Sequence, residues 1–227
     1  MKIVIHIPAR KGSKRVPRKN FRDLCGKPMF EYSLISAINS KITKEIYINT
    51  DDNELANHMI LKYPDLKHFK REPALSADKS SSDEFNYDFI KKINPDILIM
   101  INPVCPLINE KIIKEAYEFF TTSNYDTVIT ASKSHMQFFC DKKPVNININ
   151  EQLAASQENS PVFELNWAIT IWDCKIFKKN MESKGFAVMG DNMGVYAIDK
   201  YLGLKVSDEH DFLAIEALIK GGFGNRL

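Results

Sequence analysis

A short β-branched run that ends in a crowded basic loop constrains this chain more than any other feature. Ile3-Val4-Ile5-His6-Ile7-Pro8 leads straight into Ala9-Arg10-Lys11-Gly12-Ser13-Lys14-Arg15-Val16-Pro17-Arg18-Lys19-Asn20. β-Branched side chains fit extended backbone, so residues 2–8 are predicted to form a buried strand. Seven lysines and arginines lie between Arg10 and Arg22. A loop at the carboxyl end of a buried parallel strand is where α/β sheets take anionic ligands, and this much charge points to a nucleotide triphosphate. The whole chain carries 31 basic and 29 acidic residues, so the positive charge is local, unlike that of a dedicated nucleic-acid binder. A solvated basic loop or a nucleic-acid patch is the competing reading.

The loop lacks the second glycine and the Gly-Lys-Ser/Thr ending of a Walker A motif, and it lacks the three spaced glycines of the dinucleotide fingerprint. Phosphates would instead be held by backbone N–H groups around Gly12 and Ser13, with Arg10, Lys14 and Lys19. Gly12 is expected to let the backbone turn and approach an oxygen closely, and Pro17 to stiffen the loop.

At 227 residues the chain is expected to form one domain, spanning 1–227. Cys25, Cys105, Cys140 and Cys174 are widely spaced with no C-x-x-C, which predicts reduced, individually buried thiols and a cytoplasmic protein. The first apolar run is too short for a signal peptide, and no stretch approaches a transmembrane length. Neither nucleic acid nor membrane is expected as a partner.

Strand-like runs at 2–8, 45–50, 96–102 and 126–132 alternate with helix-like runs at 27–40, 52–63, 82–93 and 109–122. Asp51-Asp52 and Ser80-Ser81-Ser82-Asp83 read as capped helix starts. Such alternation predicts a three-layer αβα fold on a mainly parallel sheet. Residues 135–165 lose the helical period, and Ile147 and Ile149 alternate with asparagines like an exposed strand or β-arm. An irregular insertion of this length is commonly functional or part of an interface. Strand character returns at 163–172, 187–189 and 194–198. Helices are expected at 175–184 and from Ser207-Asp208 to Gly221-Gly222.

The segments Pro8–Asn20, Gly26-Lys27-Pro28-Met29, Asn49-Thr50-Asp51-Asp52, Arg71–Asp78 and Ser80–Glu84 resemble those of the acylneuraminate cytidylyltransferases. Asn102-Pro103-Val104-Cys105-Pro106-Leu107 and Ser207–Phe212 extend the resemblance over essentially the whole chain. It implies a nucleotide-diphospho-sugar transferase-like fold and a homodimer whose β-arm, 135–170, crosses to the partner. The implied reaction is attack of a sugar-acid hydroxyl on the α-phosphorus of CTP. The acceptor would be a nonulosonic acid of sialic, legionaminic or pseudaminic type, and pyrophosphate would be released. Carried over by position, Arg10, Lys14 and Lys19 would neutralise the triphosphate. Gly12, Ser13, Asn20, Arg71 and Ser82 would hold the nucleotide. Asn102, Cys105, Gln157 and Asn166 would meet the acceptor, and Mg²⁺ would accompany the nucleotide.

The chain departs from this pattern at several points. Val104-Cys105 loses two hydroxyls, Ile108 and Glu164 stand where arginines are usual, and Trp167 replaces a glycine. The positions of the two implied metal aspartates fall at Lys205 and Ser207. Three alternatives remain open: Asp208, Glu209 or Asp211 holds the metal; Lys205 supplies the positive charge itself; or the site is degenerate. Another acid or phosphonate acceptor, or a non-catalytic nucleotide-binding role, stays compatible with these departures. No general base stands out. His6 reads as a core residue, and His135 and His210 are candidates by position alone. Ser82 and Asn20 could equally serve as caps.

Overall fold

The computed structural model describes residues 1–153 and 155–223. In chain order it runs β1 (Ile3–Pro8), β2 (Asp23–Leu24), β3 (Lys27–Pro28), α1 (Met29–Ser40), β4 (Ile46–Thr50), α2 (Asn53–Lys62), β5 (Lys67–Lys70), α3 (Pro73–Ser76) and α4 (Ser82–Ile93). It continues with β6 (Ile97–Ile101), α5 (Glu110–Thr122), β7 (Thr127–Ser134), β8 (Phe139–Cys140), β9 (Lys143–Pro144), β10 (Val162–Asp173), α6 (Cys174–Lys184), β11 (Met193–Ile198) and α7 (Glu209–Lys220).

Seven strands form one sheet in the order β11-β7-β10-β6-β1-β4-β5. β10 runs antiparallel to both its neighbours, and the other pairings are parallel. The alternation of side chains along each strand separates two cores. Ile5, Ile7, Ile48, Ile99 and Ile101 point toward α1, α2, α5 and α7. Val4, Leu98, Met100 and Trp172 point toward α4 and α6. The predicted three-layer arrangement follows, with β6 buried along its whole length. Each fully buried isoleucine contributes about 1.5–3 kcal/mol, so this central row dominates the local energetics.

Several expectations need correction. Residues 187–189 form a turn, because Asp83 takes the backbone N–H groups of Ala187 and Val188 at 2.6 and 2.8 Å before they can join a ladder. Ile147 and Ile149 lie in no strand. The asparagines around them make local bonds instead: Asn146 Nδ2 donates to the carbonyls of Met136 and Ser160, and Asn148 Nδ2 to Glu151. The two-residue β8–β9 hairpin is the regular structure that this segment offers before a 3₁₀ turn at Ser156–Glu158. β5 and α3 were not predicted, being short and strongly charged or proline-led. Ser81, not Ser82, caps α4, in a reciprocal box with Glu84. The thiols are all free, but Cys140 is exposed and Cys25 half-buried.

Candidate active site

The loop after β1 is tied down from within. Val16 is fully buried, Lys11 N donates to Asp51 Oδ1 at 2.8 Å, and Ala9 N to the Asn49 carbonyl at 2.9 Å. A left-handed Arg18, φ 51°, follows Pro17 and turns the chain back toward β2. With these anchors the loop borders a cavity of about 300 Å³ beside the carboxyl end of β1. Pro8, Arg10, Ser13, Lys14, Arg15, Lys19 and Asn20 line it, with Val104 and Ser207 closing the far side. The sheet order reverses between β1 and β6, and open α/β sheets place ligands at such a point.

Six of the seven loop cations divide by task. Arg10, Lys14, Arg15 and Lys19 face the cavity. Arg18 instead pairs with Glu54 at 2.7 Å and stacks on Phe21. Arg22 binds Glu209 through both guanidinium nitrogens and lies 4.0 Å from the Phe212 ring centroid, which fastens the loop to α7. Lys19 donates to the Val206 carbonyl at 2.9 Å. Burial, then the charges of Arg15, Lys205 and Arg10, holds its pKa down to about 8. Asn20 donates to the Arg10 carbonyl at 3.3 Å, while its buried Oδ1 has no partner among the described residues. A ribose hydroxyl or a base amino group would satisfy that acceptor.

Gly12 departs from the expected role. A Cβ there would meet open space, and its φ is not positive, so neither packing nor conformation requires glycine. The bare backbone simply leaves that approach unobstructed.

Arg71 lies beyond the end of β5 and is 4 % exposed. Its Nε and one terminal nitrogen donate to the Asn49 side chain and carbonyl at 2.9 and 3.0 Å, and its guanidinium stacks 4.5 Å from the Phe85 centroid. Burial brings its pKa down to about 10. Asn49 also meets His6 Nδ1 at 3.3 Å. Burial holds His6 neutral, with a pKa near 3, which suits a core position rather than a proton carrier at the cavity. Asn49 was not foreseen as a supporting residue, although it falls inside a quoted motif. Arg15 was missed as well, hidden among like charges. Ser82 is exposed in the first turn of α4.

The expected acceptor residues do not converge. Cys105 is fully buried, with its thiol pushed up to about 12 by desolvation, so it offers no surface to a substrate. Ile108 is core, 2 % exposed. Asn102 accepts weakly from Val104 N at 3.4 Å. Gln157 is exposed on the 3₁₀ turn. The Asn166 amide is engaged internally: its Oδ1 accepts from Thr130 Oγ1 and Ala168 N, and its Nδ2 donates to Ser132 Oγ. It secures a bulge in β10 where Trp167 takes φ 58°, the conformation that favours glycine. His135 bonds Asn159, and the His210 side chain is solvent-exposed.

The residues present do not fit a protein-held Mg²⁺. Magnesium prefers carboxylate and water oxygens in octahedral array. Asp208 and Asp211 each give one oxygen to a reciprocal cap of α7: Asp208 Oδ1 accepts from Asp211 N at 3.1 Å, and Asp211 Oδ2 from Ser207 N and Asp208 N at 2.7 and 3.2 Å. Glu209 is taken by Arg22. Among the described residues no group of three or more His, Cys, Asp or Glu side chains could hold a metal. No helix among them is long and apolar enough to cross a membrane.

Post-translational flagellin modification protein B of Campylobacter coli is 31% identical, over 96% of this chain and 95% of that protein. A pseudaminic acid cytidylyltransferase of Campylobacter jejuni is 37% identical, over 59% of each. The fold matches a CMP:2-keto-3-deoxy-manno-octonic acid synthetase solved with CTP, at TM-score 0.72 and 16% identity, covering 98% of this chain and all of that one. The family model described as cytidylyltransferase matches residues 3–196, and the chain belongs to that family of nucleotidyltransferases.

Proposed function

We propose that this chain couples CTP to a nonulosonic-type sugar acid, giving the CMP derivative and pyrophosphate. One observation carries the reading: Arg10, Lys14, Arg15 and Lys19 converge with Asn20 on a single cavity at the sheet's switch point. An acceptor hydroxyl attacks the α-phosphorus in line. The new bond joins the acceptor oxygen to that phosphorus, the bond to the bridging β-phosphate oxygen breaks, and the hydroxyl proton leaves to solvent. Such chemistry needs charge neutralisation and positioning more than covalent help. Arg10, Lys14 and Lys19 are the neutralising groups, and Arg71, stiffened by Asn49 and Phe85 and outside the cavity lining, is the residue proposed to meet the base. Any Mg²⁺ enters on the nucleotide, and no step here rests on it. The nonulosonic acceptor class is supported by the name of the Campylobacter jejuni relative, a pseudaminic acid cytidylyltransferase.

The test is pyrophosphate release from each of CTP, UTP, ATP and GTP with pseudaminic, legionaminic and sialic acids. CTP-selective release with at least one acid supports the reading. Release from another nucleotide at equal rate, or from none, overturns it.

Dimerisation through 135–170 belongs to the same proposal. Met136, Phe139, Val145, Ile149, Leu153 and Phe163 are large apolar side chains left exposed along this segment, as an arm seated on a second copy would require. Deleting 141–160 should convert a sedimenting dimer to a monomer; an unchanged dimer counts against the arm.

A further inference from the structure

Resting on the nucleotidyl-transfer reading, we infer that Lys205, with Lys19, supplies the positive charge that a protein-held divalent cation would otherwise bring to the triphosphate. Three independent observations carry this. The first is placement. Val206 N donates to the Val104 carbonyl at 2.8 Å, and the Val206 carbonyl accepts from Lys19 Nζ at 2.9 Å. Lys205 is therefore the residue immediately before a backbone unit pinned to the cavity wall, and Ser207 on the other side lines the cavity itself. The Lys205 side chain is exposed.

The second is uncompensated charge. Arg10, Lys14, Arg18 and Arg22 each have a carboxylate partner. Among the described residues, Arg15, Lys19 and Lys205 have none within ion-pair distance, although they lie near one another and their charges depress the Lys19 pKa. Like charges gathered without a counter-ion raise the energy of the empty site and lower it when an anion arrives. The third is the oxygen chemistry. Asp208 and Asp211 each give one oxygen to the cap of α7, and both Glu209 oxygens go to Arg22, which leaves one carboxylate oxygen apiece on Asp208 and Asp211. A dication held beside Lys19 and Lys205 would also be repelled by them.

Calorimetric titration of the full chain with CTP and with inorganic tripolyphosphate, in EDTA and in Mg²⁺, tests this. The wild type should bind CTP in EDTA within about threefold of its affinity in Mg²⁺. Lys205→Ala should fold normally, because the side chain is exposed, and should lose about tenfold in EDTA. Lys205→Asp should bind poorly in EDTA and recover in Mg²⁺. Mn²⁺ alone, followed by its paramagnetic resonance, should not bind the free wild-type chain. Wild-type binding that requires Mg²⁺, Mn²⁺ held by the free chain, or an unchanged Lys205→Ala affinity overturns the inference and leaves the cytidylyl reading intact. If all four nucleotides bind alike and Lys205→Ala weakens each, the inference stands and the cytidylyl reading fails. If neither CTP nor tripolyphosphate binds in either condition, both fail.

Discussion

The Asp78 carboxylate accepts a hydrogen bond from Arg10 Nη1 at 2.9 Å, and its other oxygen pairs with the Lys14 ammonium. Both cations line the cavity, so in the empty protein Asp78 occupies them as phosphate oxygens would. Its carboxyl is held below the usual range, chiefly by Lys14 and then Arg10. An incoming triphosphate must displace it. Asp78→Asn keeps the shape and removes the competing charge, so CTP should bind about two- to fivefold more tightly, the scale of an exposed ion pair. Calorimetric titration of the variant reads this directly. Weaker binding would mean that Asp78 orients Arg10 rather than competes for it.

Arg71 holds Asn49 with a planar fork, and a lysine cannot reproduce two parallel donors or the stack on Phe85. Arg71→Lys should cost about 1–3 kcal/mol of folding stability, because buried acceptors on Asn49 lose their partners. The KM for CTP should rise in the same variant. Urea unfolding checks the first expectation, and steady-state kinetics at varied CTP the second. Wild-type stability would show that the Asn49 contacts carry no net weight.

The layered fold was legible because periodicity reports burial directly. Ile97–Ile101 is an apolar run, and Ile3–Ile7 one broken only by His6, that a covered sheet accommodates. The basic loop was legible for a similar reason, since charge concentrated in an otherwise balanced chain marks one place. What charge alone does not encode is which cation has a private partner. Arg18 and Arg22 resemble Arg15 in sequence, and only the positions of Glu54 and Glu209 separate them. In the acceptor half, motif position does not reveal orientation. Cys105 and Ile108 sit in a motif yet face the core, and the Asn166 amide turns inward to a bulge that Trp167 creates.

Lys19 gives the site a proton-linked signature. Its pKa of about 8 lies below the ordinary 10.5, with burial the largest cause. The unfolded chain therefore binds more protons than the folded one between these values, so this residue's penalty on stability fades as pH rises through that window. A bound triphosphate favours the charged amine and raises its pKa again. At pH 8 CTP binding should take up about half a proton at this site, falling to about a tenth at pH 7. Titrations in buffers of differing ionisation enthalpy measure the number, and Lys19→Met should abolish the pH 8 uptake. Equal uptake in the variant would assign the proton to another group.

Gly203 and Asn166 tie the Lys205 loop to the sheet. A Cβ on Gly203 would lie 2.3 Å from Asn166 Nδ2, a contact that real side chains do not make. The amide cannot retreat freely, since Thr130, Ser132 and Ala168 all bond it. The loop must therefore move outward, carrying Lys205 and the Val206 carbonyl that receives Lys19. Gly203→Ala should lower stability by about 1–3 kcal/mol, typical of overpacking a filled site. It should also weaken CTP binding, although residue 203 is not among those lining the cavity. Asn166→Ala combined with Gly203→Ala makes room for the methyl group, so the double variant should recover much of the lost nucleotide affinity. If affinity stays low when the clash is relieved, the loop's position is not what links Gly203 to the cavity.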